Sequence, residues 1–235
     1  MLAEAHINFE PCSAETFDTR AIYYCLNHFM LYLPLVTLSK MAPNSLEDMR
    51  QSKTSRRIAI IGAGSVGISL ATQLVSAGRS VTISNSRGPE SLKEEQVKTR
   101  ATAADVRTAL KKCDIVILAV WLSKILSLQA EMKGLVQTDI IVIDACNYYP
   151  SRDGCIDLIE NGMPESAWVS QSLSVPVVKA FNSIIASNII SNARPRNCLG
   201  RSTLPVAGND EMAISRVMEL VEDIGFDSTH STLDR

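Results

Sequence analysis

"RRIAIIGAGSVG", residues 56–67, decides how the chain is read. Two arginines lead into a short β-branched run, Ile58–Ile61, and then Gly62, Gly64 and Gly67 stand at GxGxxG spacing. The following ISLATQLVSAG has helical character and closes at Gly78, a C-cap candidate. A tight turn needs Gly62, close approach of backbone to a pyrophosphate needs Gly64, and close helix–strand packing needs Gly67. The pyrophosphate then rests on free N–H groups at the helix N-terminus. GxGxxG alone is a weak pattern. Here a strand precedes it, a helix follows it, and a second strand comes next at Ser80–Ser84, which is the context dinucleotide binding requires.

The second strand ends in "VTISNSRGPES", residues 81–91. A carboxylate at that place hydrogen-bonds the 2′-hydroxyl of the NAD ribose. This chain has Ser84, Asn85, Ser86 and Arg87 instead, on a loop turned by Gly88-Pro89. A guanidinium grips a 2′-phosphate with paired, charge-assisted bonds, and hydroxyl and amide donors fill its remaining oxygens. The reading is therefore NADP(H). The bland alternative is a polar turn with a solvated arginine.

Further on, residues 101–112 suggest a helix, and CDIVILAV (113–120) is a near-continuous apolar strand. WLSKILSLQAEMKG (121–134) reads as a helix stopped by Gly134, and IIVIDACN (140–147) as another buried strand. PVVKAFN (176–182) reads as a strand and turn, with a helix from Ser183, a short strand at 204–208 and a final helix over Glu211–Ile224. Alternating strands and helices argue an α/β chain, a Rossmann-type doubly wound parallel sheet. Ligands sit outside the carboxyl ends of such strands. That edge collects the glycine loop, SNSR, Ala119–Trp121 and Asp144–Asn147. Trp121 reads more as core than as a cofactor platform.

The bulk properties suit a globular chain: 46% hydrophobic and 20% charged residues, net charge −2. No overall basic field recruits nucleic acid or an anionic membrane. Cys12, Cys25, Cys113, Cys146, Cys155 and Cys198 form no CxxC pair and have no histidine at zinc-ligand spacing, so no metal site is expected. Scattered thiols in apolar surroundings, Cys113 and Cys146, fit a reducing, cytoplasmic compartment. Residues 21–38 are the most apolar run, but Asn27, His28 and Pro34 interrupt it and the flank before it is acidic, against a membrane span or a secretory leader. Residues 1–55 read first as a poorly integrated extension, residues 1–40 being either part of such an extension or an over-extended translation start before Met41. A helix packed on the domain and a membrane or targeting role stay open as alternatives. The expected divisions are thus 1–55, a nucleotide-binding core at 56–150, and a part at 151–235 that completes the sheet and the acceptor side.

The ordered set IAIIGAGSVG, ISNSRGPESL, CDIVILAV, IDACNYYPSRDG, VVKAFNSI and LPVAGND resembles the coenzyme F-420-dependent NADP reductase family over about residues 56–226. The resemblance implies a Rossmann domain with a small C-terminal α/β appendage, and hydride exchange between NADP(H) and a deazaflavin (coenzyme F-420) or, in relatives, a flavin. It implies that Ala63, Gly64, Ser65 and Val66 hold the pyrophosphate, and Ser86 and Arg87 the 2′-phosphate. It sets Ala180 by the nicotinamide with Asn182 nearby, and leaves a homodimer open. Three features depart from the family pattern. Trp121 replaces a proline after Val120, which puts the ribose contact of Ala119–Trp121 in doubt. The ending GFDSTHSTLDR lacks the family's closing helices, so the appendage reads as shortened. The N-terminal extension is foreign to the pattern.

Oxidising an alcohol needs a group to take the hydroxyl proton, commonly His or a Tyr helped by Lys. The three histidines, His6, His28 and His230, lie outside the nucleotide core, and no Tyr is followed four residues later by Lys. Hydride transfer between two cofactors needs stacking and orientation more than a base. Lys179 and Asn182 are the polar candidates near the nicotinamide, Lys179 reading equally as a solvated strand end. Tyr148 and Tyr149 stack on a flat ring or merely cover the sheet end, and Asn147 ends its strand at the same edge. Two other readings stay open. One is a non-catalytic NADP-sensing module. The other is a small-carbonyl reductase, which needs a second helical domain where fewer than about a hundred residues follow the core.

Overall fold

The structure, a computed structural model, describes residues 56–111, 113–133 and 139–231. The expectations placed on residues 1–55 and on Gly134 lie outside the described residues. Six parallel strands form one sheet: β1 (Arg57–Ile61), β2 (Ser80–Ser84), β3 (Thr102–Ala103), β4 (Ile115–Leu118), β5 (Ile141–Asp144) and β6 (Val177–Lys179). Their order is 3-2-1-4-5-6, the order of dinucleotide-binding Rossmann sheets.

The apolar runs are continuous because both faces of the sheet are covered. Alternation within each run sorts the side chains. Ile58 and Ile60 join Ile83, Ile115 and Ile117 on one face, against Leu70 and Leu74 of the 65–76 helix and Val217, Leu220 and Val221 of the 211–223 helix. Ala59 and Ile61 join Val116, Leu118 and Val142 on the other face, against Leu122, Ile125, Val169 and Leu173. The helix Glu211–Asp223 buries Ile214, Val217, Leu220 and Val221 at helical spacing. Its first turn is capped by Asp210, which accepts from the N–H groups of Met212 (2.9 Å) and Ala213 (3.1 Å). The buried Arg79 pairs with Asp223 and ties the turn before β2 to that helix.

Three expectations change. Residues 101–112 are not one helix. Thr102–Ala103 is a strand beside Thr82–Ile83, and the helix starts at Val106, where the Asp105 carboxylate accepts from the N–H and hydroxyl of Thr108. Residues 122–128 form a 3-10 helix and only Gln129–Met132 is α-helical. The helix after β6 starts at Ala186 rather than Ser183. Nor do all strands share one sheet. β7 (Thr203–Val206) pairs in parallel with β8 (Asp227–His230), a strand that GFDSTHSTLDR did not announce. This pair meets the main sheet by one antiparallel bridge, Lys179 to Ala207, closed by two N–H···O bonds of 2.7 and 3.0 Å.

The glycine turn joins helix to sheet by backbone contact. A Cβ on Gly67 would stand 1.9 Å from the Gly62 carbonyl oxygen, and one on Gly62 2.1 Å from that of Ala119. Gly62 also has φ +117, a backbone state open to glycine. Substitution Gly67→Ala is expected to lower the unfolding free energy by about 2 kcal/mol, read by urea titration. Unchanged stability would mean that the helix does not sit on the turn as described.

Candidate functional site

Chain paths converge at the carboxyl edge of the sheet, and hydrogen bonds stitch them one residue beyond the strands. The Gly62 N–H donates to the Ser84 carbonyl (2.9 Å), Ala119 to Ile61 (2.8 Å), Ala145 to Leu118 (3.0 Å) and Ala180 to Asp144 (3.2 Å). The edge is therefore a fixed rim.

At its centre the helix Ser65–Ser76 begins without a side-chain cap and with no acidic residue in its first turn. Its leading N–H groups and its dipole face outward. Ala63 and Val66 are half-buried, while Gly64 and Ser65 are exposed. A Cβ on Gly64 would meet no protein atom within 4 Å, so this chain's own packing does not require glycine there. Glycine at that place suits a phosphate held close to the backbone.

Beside it runs the loop after β2. Ser84 is fully buried, and its Oγ has no hydrogen-bond partner among the described residues, so it is not a surface donor as the sequence suggested. Asn85 is also committed. Its Oδ1 accepts from the Arg87 N–H (2.9 Å), and its Nδ2 donates to Ser91 Oγ (2.9 Å). This Asx turn shapes the loop. Ser86 and Arg87 are exposed, and their side chains make no hydrogen bond or ion pair with other described residues. Of the four polar residues, those two remain free for a ligand.

On the other side of β1, Ala119 and Val120 are half-buried and Trp121 is exposed, so the core reading of Trp121 is corrected. The Arg152 guanidinium lies 5.6 Å from the centroid of the Trp121 ring and 4.8 Å from that of the exposed Tyr149. Arg152 donates through Nη2 to the Asn147 carbonyl (2.6 Å) and to Asp153 Oδ2 (2.6 Å). Asp153 also accepts from the N–H groups of Ser123 (3.1 Å) and Tyr149 (3.0 Å). Burial pushes the Asp153 carboxyl up, but Arg152 and those two N–H groups outweigh it and leave its pKa at about 2.

Lys179 is no solvated strand end. Its side chain is 11% exposed, and Nζ donates to Asp144 Oδ2 (3.0 Å), the Cys146 carbonyl (2.7 Å) and Glu165 Oε2 (3.2 Å). Those three bonds use all three ammonium protons, so Lys179 positions the rim and has none left for a substrate. Glu165 Oε1 accepts from the Tyr148 N–H (3.1 Å). The Tyr148 hydroxyl is held by Glu160 Oε1 (2.8 Å) and the Ile156 N–H (3.0 Å), which makes Tyr148 a brace rather than a stacking face. Asn147 donates through Nδ2 to the Asn182 carbonyl (2.9 Å), so these two predicted residues do meet. Ala180 is fully buried in the core, so it supports the rim from beneath instead of lining it. Phe181, next to it, is buried with φ +66, an uncommon state for a bulky residue, directly before Asn182.

Arg152, Asp153 and Glu165 escaped the sequence reading. Tyr149-Pro150-Ser151-Arg152 held a signal: Pro150 opens a short helix, and i,i+3 spacing then brings Arg152 over Tyr149. Cys113 and Cys146 are buried as expected, and burial pushes the Cys113 thiol up to about 11. Among the described residues, no group of three His, Cys, Asp or Glu side chains is placed to hold a metal ion. Nor is any helix among them long and apolar enough to cross a membrane.

The sequence profile of the family described as "NADP oxidoreductase coenzyme F420-dependent" matches residues 57–148. Among solved structures, a hypothetical protein from Sinorhizobium meliloti is similar at 32% identity and a TM-score of 0.64, over 75% of this chain and 85% of that one. A protein from Arthrobacter described as an F420-dependent NADP reductase gives 22% identity and a TM-score of 0.62 over the same shares, 75% and 85%. The glycerol-3-phosphate dehydrogenase of Coxiella burnetii, 18% identical with a TM-score of 0.58, is matched over 75% of this chain and 54% of its own. The last two likenesses show the fold. No curated protein matches the sequence significantly.

Two outcomes follow from the rim. Lys179→Met leaves the fully buried Asp144 carboxylate without its cation, and is expected to lower stability by about 3 kcal/mol in urea titrations. The Asp153 pKa lies below its unfolded value, so its contribution is present above pH about 4 and is lost as pH falls towards about 2. Trp121 emission, taken as the difference between the wild-type chain and Trp121→Phe, is expected to change over that window and not above it.

Proposed function

This chain belongs to the coenzyme F420-dependent NADP oxidoreductase family, and on that premise we propose that it exchanges a hydride between NADP(H) and a deazaflavin (coenzyme F-420) or flavin-like acceptor. The observation that carries the cofactor choice is the pair Ser86 and Arg87. Both are exposed, without partners among the described residues, and stand where an NAD site has a carboxylate. They bind the 2′-phosphate, Arg87 with a charge-assisted pair of bonds. Asn85 holds the loop that presents them.

Gly62 to Gly67, with Ala63, Ser65 and Val66, seat the pyrophosphate on the uncapped helix start. Ala119 and Val120 border the path from there to the nicotinamide, and Asn147 and Asn182, joined to each other, fix its far end. A bound nicotinamide would supply the hydride, two electrons with one hydrogen, and water would supply the proton that completes the reduction of the acceptor. Among the described residues, the Lys179 ammonium is held by three acceptors and is not available as a general base, and His230 belongs to β8. Transfer between two stacked rings needs orientation above all, which suits a rim whose lysine is already held.

The test titrates NADPH and NADH into the full-length chain and into Arg87→Ala. NADPH is expected to bind the wild-type chain more tightly than NADH. Arg87→Ala is expected to weaken NADPH by roughly tenfold to a hundredfold and to leave NADH unchanged. Equal affinities in the wild-type chain would overturn the NADP reading. Binding of NADPH without oxidation by any flavin or deazaflavin would leave a sensing module in its place.

A further inference from the structure

Trp121 and Tyr149 are large side chains left 56% and 52% exposed, both on the carboxyl edge of the sheet. They are held in place. The one Asp153 carboxylate accepts from Ser123, two residues after Trp121, and from Tyr149 itself, and it anchors the Arg152 guanidinium that lies over both rings. Nη2 and Nε of Arg152 are committed, whereas Nη1 has no partner among the described residues. Two exposed aromatic rings, with the backbone beside them anchored by one carboxylate and one guanidinium against both, offer a surface for a flat ring, and that anchoring lowers the ordering cost of binding.

Strand order says which end of the cofactor faces this surface. The Arg87 loop follows β2, and Trp121 and Tyr149 follow β4 and β5, with the glycine turn of β1 between them. A dinucleotide with its 2′-phosphate at Arg87 and its pyrophosphate on the glycine turn runs its reacting end towards β4 and β5. Trp121 is two residues past Ala119, whose carbonyl packs on Gly62, so its Cα lies within about 7 Å of that contact.

We propose that Trp121 and Tyr149, spaced by Arg152, form the docking platform for the hydride acceptor. The acceptor is a planar fused-ring molecule with a carbonyl-rich or anionic edge directed at Arg152 Nη1. The proposal rests on the hydride-exchange reading above for its role. The platform itself is testable without NADPH.

The chain has two tryptophans, and Trp168 is only 8% exposed, so a ring that stacks on the platform quenches mainly Trp121. The full-length chain is titrated with riboflavin, FMN and a 5-deazaflavin, and both tryptophan emission and the emission of the added ring are followed. Quenching of both is expected. Tyr149→Ala and Trp121→Ala are each expected to weaken ring binding about tenfold, while Trp121→Phe retains it without the tryptophan signal. NADPH affinity, measured separately in Tyr149→Ala, is expected to stay within about twofold of wild type. Ring binding that is absent, or equal in wild type and both alanine variants, overturns the platform. So does a Tyr149→Ala chain that loses NADPH instead of the ring. Ring binding by a chain that fails to bind NADPH keeps the platform and overturns the hydride-exchange reading. A riboflavin affinity equal to that of FMN assigns recognition to the ring, and a strong preference for FMN overturns that assignment in favour of its phosphate.

Discussion

Backbone meets backbone at the glycine turn, and the rest of the edge is arranged around that contact. The 65–76 helix is so close to β1 that the hydrogen on Gly67 faces the Gly62 carbonyl, and Gly62 in turn faces the Ala119 carbonyl. Two adjoining segments and a third far along the chain, the exit of β4, are thereby set within van der Waals distance with no side chain between them. The helix start is aimed, the exit of β4 is fixed, and the loop that carries Trp121 leaves from a defined place. Added methyl groups here displace whole elements, because packed interiors do not deform continuously.

A second constraint lies beneath the rim. Setting the fully buried Asp144 and the largely buried Lys179 beside the half-buried Glu165 carries a desolvation cost that good geometry only partly offsets, so the cluster is poor as a source of stability. Its effect is positional. One ammonium binds the end of β5, a carbonyl of the loop after it and a helix from the following segment, and Glu165 passes the hold on to Tyr148. The positive φ of Phe181 falls where the chain leaves this knot, and turns it so that Asn182 meets Asn147.

Sequence revealed what depends on local pattern. β2 runs over Ser80–Ser84 as read, β1 begins one residue before its apolar run, and β4, β5 and β6 lie inside theirs, since burial on both faces leaves an unbroken signature. β3 has two residues, too few for any period, and β8 is polar and owes its existence to β7. The same division holds at the site. Gly62, Gly67 and the exposed Ser86 and Arg87 followed from spacing and residue type. Lys179 was misread because its partners Asp144 and Glu165 lie 35 and 14 residues away, and one-dimensional pattern carries no trace of such pairing. Ser84 and Ala180 have suitable chemistry and suitable sequence positions, but burial denies them a ligand.

The two ends of the main sheet have a consequence for how copies of the chain behave at high concentration. An open strand edge is a template on which another chain can build. Here one end is β3, two residues long, and the other is β6, whose outer backbone is occupied at Lys179 by Ala207. β8 pairs on one side only, and it is short and polar, Asp-Ser-Thr-His. The described sheet thus offers little purchase for strand-by-strand growth, and that protection lies in its topology.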